Sequence, residues 1–433
     1  MAMLRPAPEM KDSGIEWMGV IPKDWNTIRF KFVHIGANVG MSIDREYWSD
    51  DESDTAFYTA QINPIHVRYE GFPEWKYTSE KDLLLARNAT PYVYLPVSKA
   101  AYTDHIIRVE IKPNFDRRYV RYCLQHSITY DVADGVSLPT WSVSIWNRQV
   151  IPSLPFEKQQ AIASYLDDRC SKLDEIIAEA EKSIEEYKEL KQAVIFEAVT
   201  KGLDKNVPMK DSGVEWIGDI PASWSLVRIP RILDYRDAYP LGDGDHGMIK
   251  TEDYQNDGIP YIRVQNLGWG TDLLLDNVVY ISEENNEKIK SSQLKPNDVL
   301  FCKTGGTIGK TGMIPEDLPI SNTTSHVGKI TVDPAYNARY VFYVLSSNVG
   351  YRQFWEIACQ KTTRPELSIS ETRQIRLTWP SSREEQDRIV QHLDSVIPEY
   401  NALISEKESL IEDLKSYKKS LIYEVVTGKR RVV

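Results

Sequence analysis

Apolar residues recur at alternating three- and four-residue steps in two thirty-residue stretches, 171–200 and 398–427. In the first, Leu173, Ile177, Ala180, Ile184, Tyr187, Val194 and Ala198 carry the pattern. In the second it is Tyr400, Ile404, Ile411, Leu414, Leu421 and Val425. This spacing puts one apolar seam along an α-helix, with Glu and Lys on the other faces. Lys191, Lys407 and Lys418 interrupt the seams; a lysine stem can lie on apolar surface while its tip reaches water. At 1.5 Å per residue each helix is about 45 Å long. A helix of that length with a single apolar stripe needs a partner. The other copy is the obvious one, and a coiled coil with another protein is the alternative.

Between these stretches the pattern shortens to strand-like runs. Residues 57–62, 82–86, 105–111, 261–265, 298–302 and 329–332 are predicted strands, punctuated by Pro64, Gly71, Pro73, Pro91 and Pro96 in the first half. Helices are predicted over 115–126 and 339–346, and another from about Glu157. Ser382-Arg383-Glu384-Glu385 has the form of a capping box that starts the last helical region. Pro398 removes a backbone donor, which predicts a short helix followed by a long one, with the same break near Cys170–Ser171. Gly202 and Gly428 suit helix C-caps.

The chain is a duplication. Met10–Pro22 returns at Met209–Pro221, and Trp25 and Arg29 return as Trp224 and Arg228. His105, Pro113, Arg118, Tyr119, Val120 and Tyr122 match His326, Pro334, Arg339, Tyr340, Val341 and Tyr343. Pro139 and Ser142 match Pro365 and Ser368; Gln159, Ile162, Leu166 and Asp167 match Gln386, Ile389, Leu393 and Asp394. The offset grows from 199 at the arm to 221 at His326 and 227 at the helices, so length was gained mainly inside the strand-rich part. A shared frame with divergent interiors suits one scaffold carrying two different recognition surfaces.

A length of 433 residues allows two or three domains. The four cysteines show no metal or disulfide spacing, and no apolar run reaches membrane-spanning length, so a reduced, cytoplasmic protein without membrane contact is expected. The net charge of −11 disfavours indiscriminate polyanion binding. Residues 27–150 are nearly balanced, however, with 14 basic against 15 acidic side chains, which leaves room for local basic surfaces.

Catalytic motifs fail. Lys303–Gly312 resembles a phosphate loop, but Thr304 stands where a Walker motif needs Gly, and Gly312 and Pro315 leave no room for a following helix. The loop suits contact with a nucleic-acid backbone or base edges better. His105 and His326 lie in or beside strands and suit hydrogen-bonded structural roles. No nucleophile elbow, amino-methyltransferase motif, acidic cluster or metal spacing is present in the sequence. No catalytic residue, metal or cofactor is therefore expected in this chain.

Residue types that read bases do gather at matching places in the two halves. The DNA-contact candidates are Gln61, Asn63, Arg87 and Asn88 in the first half. In the second they are Arg263, Gln265, Asn266, Lys303, Thr304, Thr307, Lys310, Lys361, Thr362 and Arg364.

Lys-Asp-Ser-Gly-Ile/Val-Glu-Trp-x-Gly-x-Ile-Pro-x-x-Trp, at 11–25 and 210–224, resembles the opening of the specificity (S) subunits of type I restriction-modification enzymes. Gly305–Lys310 and the Glu-x-Gln to Leu-Asp passages at 157–167 and 384–394 are similar to that family too. The first half departs in having Arg87-Asn88-Ala89-Thr90-Pro91 in place of the glycine loop. The second has Trp379-Pro380-Ser381-Ser382-Arg383 where a proline-leucine run is usual. The resemblance implies an α+β protein with an arm at 1–26, a target recognition domain at 27–154 and a helical spacer at 155–204. A repeated arm at 205–225, a second recognition domain at 226–381 and a second spacer at 382–433 follow. It also implies two antiparallel long helices, with each domain reading one part of a split double-stranded DNA target in the major groove. Two modification subunits would bring S-adenosylmethionine and adenine methylation; restriction subunits would bring ATP- and Mg-dependent translocation and cleavage. The alternatives are a helical scaffold that reads no sequence and an enzyme with an unrecognised site.

Overall fold

The computed structural model describes residues 4–88, 90–130, 140–359 and 365–432, the side chains of 129 and 130 excepted. It divides into two compact units. Unit 1 joins Met1–Glu181 to Ser409–Val433, and unit 2 is Lys182–Glu408. Both divisions fall inside the long helices, so each unit holds the beginning of one and the end of the other.

The two units repeat one topology. In unit 1 a four-stranded antiparallel sheet runs in the order His34–Val39, Ile106–Ile111, Asp82–Ala86, Val93–Tyr94. In unit 2 the order is Leu241–Asp243, Val327–Ile330, Val299–Cys302, Thr311–Met313. Asp82–Ala86 and Val299–Cys302 are buried at every position and read Asp-Leu-Leu-Leu-Ala and Val-Leu-Phe-Cys, mostly apolar runs without alternation, as strands covered on both faces are. A second sheet in each unit pairs a strand in parallel, Thr55–Tyr58 with Ala101–Tyr102 and Ile259–Ile262 with Asn322–Thr323. The predicted strands 57–62 and 261–265 stop short of their expected ends. Residues 59–63 turn away after Tyr58, and Val264–Asn266 is a 3₁₀ turn, closed by an Asn266 side chain that accepts from Arg263 N at 2.9 Å.

An ion pair to a buried aspartate is wired alike in both units. Arg108 lies 3.9 Å from Asp82 and donates to Tyr77 O; Lys329 lies 4.0 Å from Asp298 and donates to Gln293 O. The recurrent residues of the sequence fasten the helices Arg117–Tyr130 and Ala338–Ser346 to the long helices. Tyr122 and Arg118 both donate to Asp167, at 2.8 and 2.9 Å. Tyr343 and Arg339 both donate to Asp394, at 2.5 and 3.0 Å. Gln159 Oε1 accepts from Asp116 N, and Gln386 Oε1 accepts from Asn337 N.

The long helices are continuous, Phe156–Lys201 and Arg383–Val426, which corrects the expected breaks near Cys170 and at Pro398. Pro398 leaves the Asp394 carbonyl without its helical donor. Ile389, Leu393 and Ile397, buried in the core of unit 2, hold the helix together across that gap. Within unit 2 the helices run antiparallel: Lys191 meets Asn401, and Gly202 lies beside Glu385. Within unit 1, Asp174 meets Lys418 at 2.6 Å, while Gly428 sits against Trp25 near the start of the other helix. Leu173, Ile177, Ile184, Ile411 and Leu421 are buried along the seams, and Tyr187, Val194, Tyr400, Ile404 and Leu414 are half-buried. Lys191 is a correction. Its tip does not reach water; the residue is buried and donates to Asn401 Oδ1.

Each arm forms a two-stranded hairpin, Met10–Asp12 with Val20–Pro22 and Met209–Asp211 with Asp219–Pro221. The last tryptophan of each arm packs on a helix end. Trp224 donates to Glu385 at 3.0 Å and covers Gly202, and Trp25 covers Gly428. Both glycines have φ near +70° and cap their helices, so the backbone conformation and the tryptophan's close approach make the same demand. Ser382 caps the second helix through Glu385 N, but the Glu385 carboxylate serves Trp224 and does not close the capping box.

Candidate nucleic-acid interface

The candidate residues of each half emerge at one end of their sheets because the strands that deliver them end together. In unit 1, Thr103 N donates to Tyr58 O, joining the segment after Tyr58 to the turn before His105. Arg87 N donates to His105 O at 2.9 Å, and Trp141 N donates to Arg87 O at 2.6 Å. Unit 2 repeats every bond: Thr324 N to Ile262 O, Lys303 N to His326 O at 3.0 Å, and Leu367 N to Lys303 O at 2.8 Å. Isolated bridges Asn88–Thr140 and Thr304–Glu366 complete the correspondence. One backbone rim thus carries Arg87, Asn88, His105 and Thr140 in one unit and Lys303, Thr304, His326 and Glu366 in the other.

The side chains on this rim differ in state. Arg87 is exposed and makes a 3.4 Å contact to Asp104 O. Lys303, its counterpart, is buried and held by Asp243 at 2.6 Å, with Glu366 at 3.6 Å. His246 lies 3.1 Å from the other Asp243 oxygen. Asn88 Nδ2 bonds His105 Nδ1 at 2.7 Å, and Thr304 Oγ1 bonds His326 Nδ1 at 2.9 Å. Next to His105, a hydrogen bond from the Ser42 hydroxyl holds the Asp104 carboxyl below the usual carboxylate range.

Gln61, Asn63 and Gln265 are exposed beyond their strands. Arg263 is half-buried, stacked 5.4 Å from the Tyr254 ring and donating to Asn277 O. Asn266 is buried and occupied by backbone partners, Arg263 N and Leu274 O. In the glycine loop, Thr307 contacts Cys302 Sγ at 3.4 Å, and Lys310 is half-exposed, its backbone closing on Thr307 O and Cys302 N. No helix follows the loop; Gly305–Thr307 is a 3₁₀ turn and Thr311–Met313 a strand. Gly309 has φ +91°, and the Tyr351 ring lies where its Cβ would stand. Lys361, Thr362 and Arg364 lie outside the described residues, as does Pro139, the match of Pro365.

Residues 244–413 match the family model of the type I restriction modification DNA specificity domain. Those residues carry a type I DNA specificity domain. The specificity subunit of the type I restriction enzyme EcoBI from Escherichia coli is 24% identical over 389 residues, covering 86% of this chain and 77% of its own. A chain solved in work on complex assembly and conformational transition of the type I R-M system superposes with a TM-score of 0.63 at 14% identity. That superposition covers 94% of this chain and 99% of its own. At that identity the likeness is one of fold. The resemblance carried by the repeated arm is borne out.

Sequence reasoning missed three positions at the rims. Thr140 and Glu366 were signalled by their place directly after Pro139 and Pro365, the prolines that recur at one offset. Asp243 had no sequence signal; only the fold brings it to Lys303. Among the described residues no cluster of His, Cys, Asp or Glu could hold a metal ion, and no helix is long and apolar enough to cross a membrane.

Proposed function

We propose that this chain is the DNA sequence-specificity subunit of a type I restriction-modification complex and reads a bipartite, asymmetric target, one part with each unit. One observation carries the reading. The same hydrogen-bonded rim occurs in both units, while its side chains change from Arg to Lys, Asn to Thr and Thr to Glu at positions 87/303, 88/304 and 140/366. A constant backbone with substituted polar ends is what two readers of different sequences require, since base edges are distinguished by donor and acceptor patterns. Around the rim, Gln61, Asn63, Gln265 and Lys310 supply further polar groups. The chain itself supplies no chemistry in this reading. Modification subunits bring S-adenosylmethionine and methylate adenine, restriction subunits bring ATP-driven translocation and cleavage, and the long helices set the number of unread base pairs.

Methylome sequencing of a host carrying the chain with its partner subunits tests this. A split, asymmetric methylated motif is expected, and replacing residues 28–150 with another such domain changes one part only. A continuous palindromic motif, or methylation indifferent to that exchange, overturns the reading.

A further inference from the structure

His105 and His326 are both exposed, yet each is fixed by the same three constraints. A tight turn leads into the following strand, with Ile106 N donating to Thr103 O and Val327 N to Thr324 O, both at 3.0 Å. The histidine carbonyl accepts from the residue at position 87 or 303. Its Nδ1 is engaged by the side chain at position 88 or 304. The Asn88 amide nitrogen is only a donor, so His105 Nδ1 accepts and the neutral ring carries its proton on Nε2. The same tautomer is open to His326, whose Nδ1 faces the Thr304 hydroxyl. Neither Nε2 meets a hydrogen-bond partner among the described residues.

Packing does not explain why an exposed position holds the same residue in both copies while its three rim neighbours all changed. A group that read a base would be expected to diverge with them. A group that meets what both half-sites share would stay. The feature common to any two stretches of duplex is the phosphate backbone, and contacts to it set register without carrying sequence. We infer that His105 and His326 donate through Nε2 to equivalent phosphate oxygens of the two half-sites, holding each rim in register while its neighbours meet the bases. This rests on the specificity reading above.

The test uses the purified full-length chain and two labelled duplexes, one carrying the motif found by methylome sequencing and one scrambled. His105→Asn and His326→Asn keep a short polar group near Asn88 or Thr304 and remove the outward nitrogen. His→Gln restores an amide donor near the Nε2 position. Each Asn variant should weaken both duplexes by the same factor, roughly three- to tenfold. The double variant should multiply the two factors, Gln should recover much of the loss, and the melting temperature should stay put. Unchanged affinity in the Asn variants, or a loss confined to the motif-bearing duplex, overturns the phosphate assignment. Equal affinity of the wild-type chain for both duplexes sinks the specificity reading instead, and the histidine comparison still reads out on the common affinity.

Discussion

Lys191 Nζ donates to Asn401 Oδ1 at 3.1 Å in the helix seam of unit 2, with Lys191 only 4% exposed. Burial pushes this lysine below its ordinary value, and Asp272 partly offsets the effect. An ammonium there is tolerated because it has a partner, not because it stabilises the seam. Asn401→Leu should cost about 1–3 kcal/mol by stranding the charge. Lys191→Met should leave the melting temperature unchanged or raise it. Because the folded value lies below the unfolded one, the cost of the charge is present in full below the folded value and fades as pH rises through it toward 10.5. The gain from Lys191→Met should therefore shrink in alkaline melts.

The Tyr122–Asp167 and Tyr343–Asp394 bonds fasten corresponding domain helices to corresponding long helices. Tyr122→Phe and Tyr343→Phe should each lower stability by about 1 kcal/mol, since each carboxylate keeps its arginine. Denaturant melts of the single and double variants would show additive costs, the two sites sharing no partner.

His126 lies under Tyr423 with ring centroids 5.1 Å apart, and burial, aided by Lys419 and Lys429, pushes its value down to about 4. The unfolded chain therefore takes up a proton that the folded chain refuses. Stability present above pH 6.5 should be lost as pH falls from 6.5 toward 4. His126→Phe should flatten that part of the pH–stability curve, measured by thermal melts at matched ionic strength.

Lys303 and Arg87 occupy one rim position with opposite consequences. Lys303→Ala leaves Asp243 without its 2.6 Å partner in a buried setting and should destabilise by about 3 kcal/mol. Arg87→Ala, on an exposed side chain, should stay within about 0.5 kcal/mol of the wild type. Paired melting and DNA-binding measurements separate the two, with Arg87→Ala moving binding alone.

Gly309 and Gly306 form a similar contrast inside the glycine loop. Gly309→Ala meets both a φ of +91° and the Tyr351 ring at 2.6 Å, and should cost about 1–2 kcal/mol. Gly306 has open space around it, so Gly306→Ala should leave the melting temperature unchanged. An equal loss in both variants would contradict the loop geometry.

The duplication, the two long amphipathic helices, their glycine caps and the central strands were legible in the sequence, because periodicity and local backbone preference act within a few residues. The resemblance carried by the repeated arm was legible on other grounds, the residue identities at 11–25 and 210–224. Helix continuity across Pro398 was not. A proline's local cost is visible in sequence, whereas the burial of Ile389, Leu393 and Ile397 that outweighs it exists only after packing. The states of the rim residues were likewise decided by tertiary structure. Whether a lysine is free or neutralised depends on what the fold sets beside it, and Asp243 reaches Lys303 from sixty residues away along the chain. The same holds for His105 and His326, whose recurrence the sequence displayed but whose fixed, outward-facing rings only the three-dimensional wiring revealed.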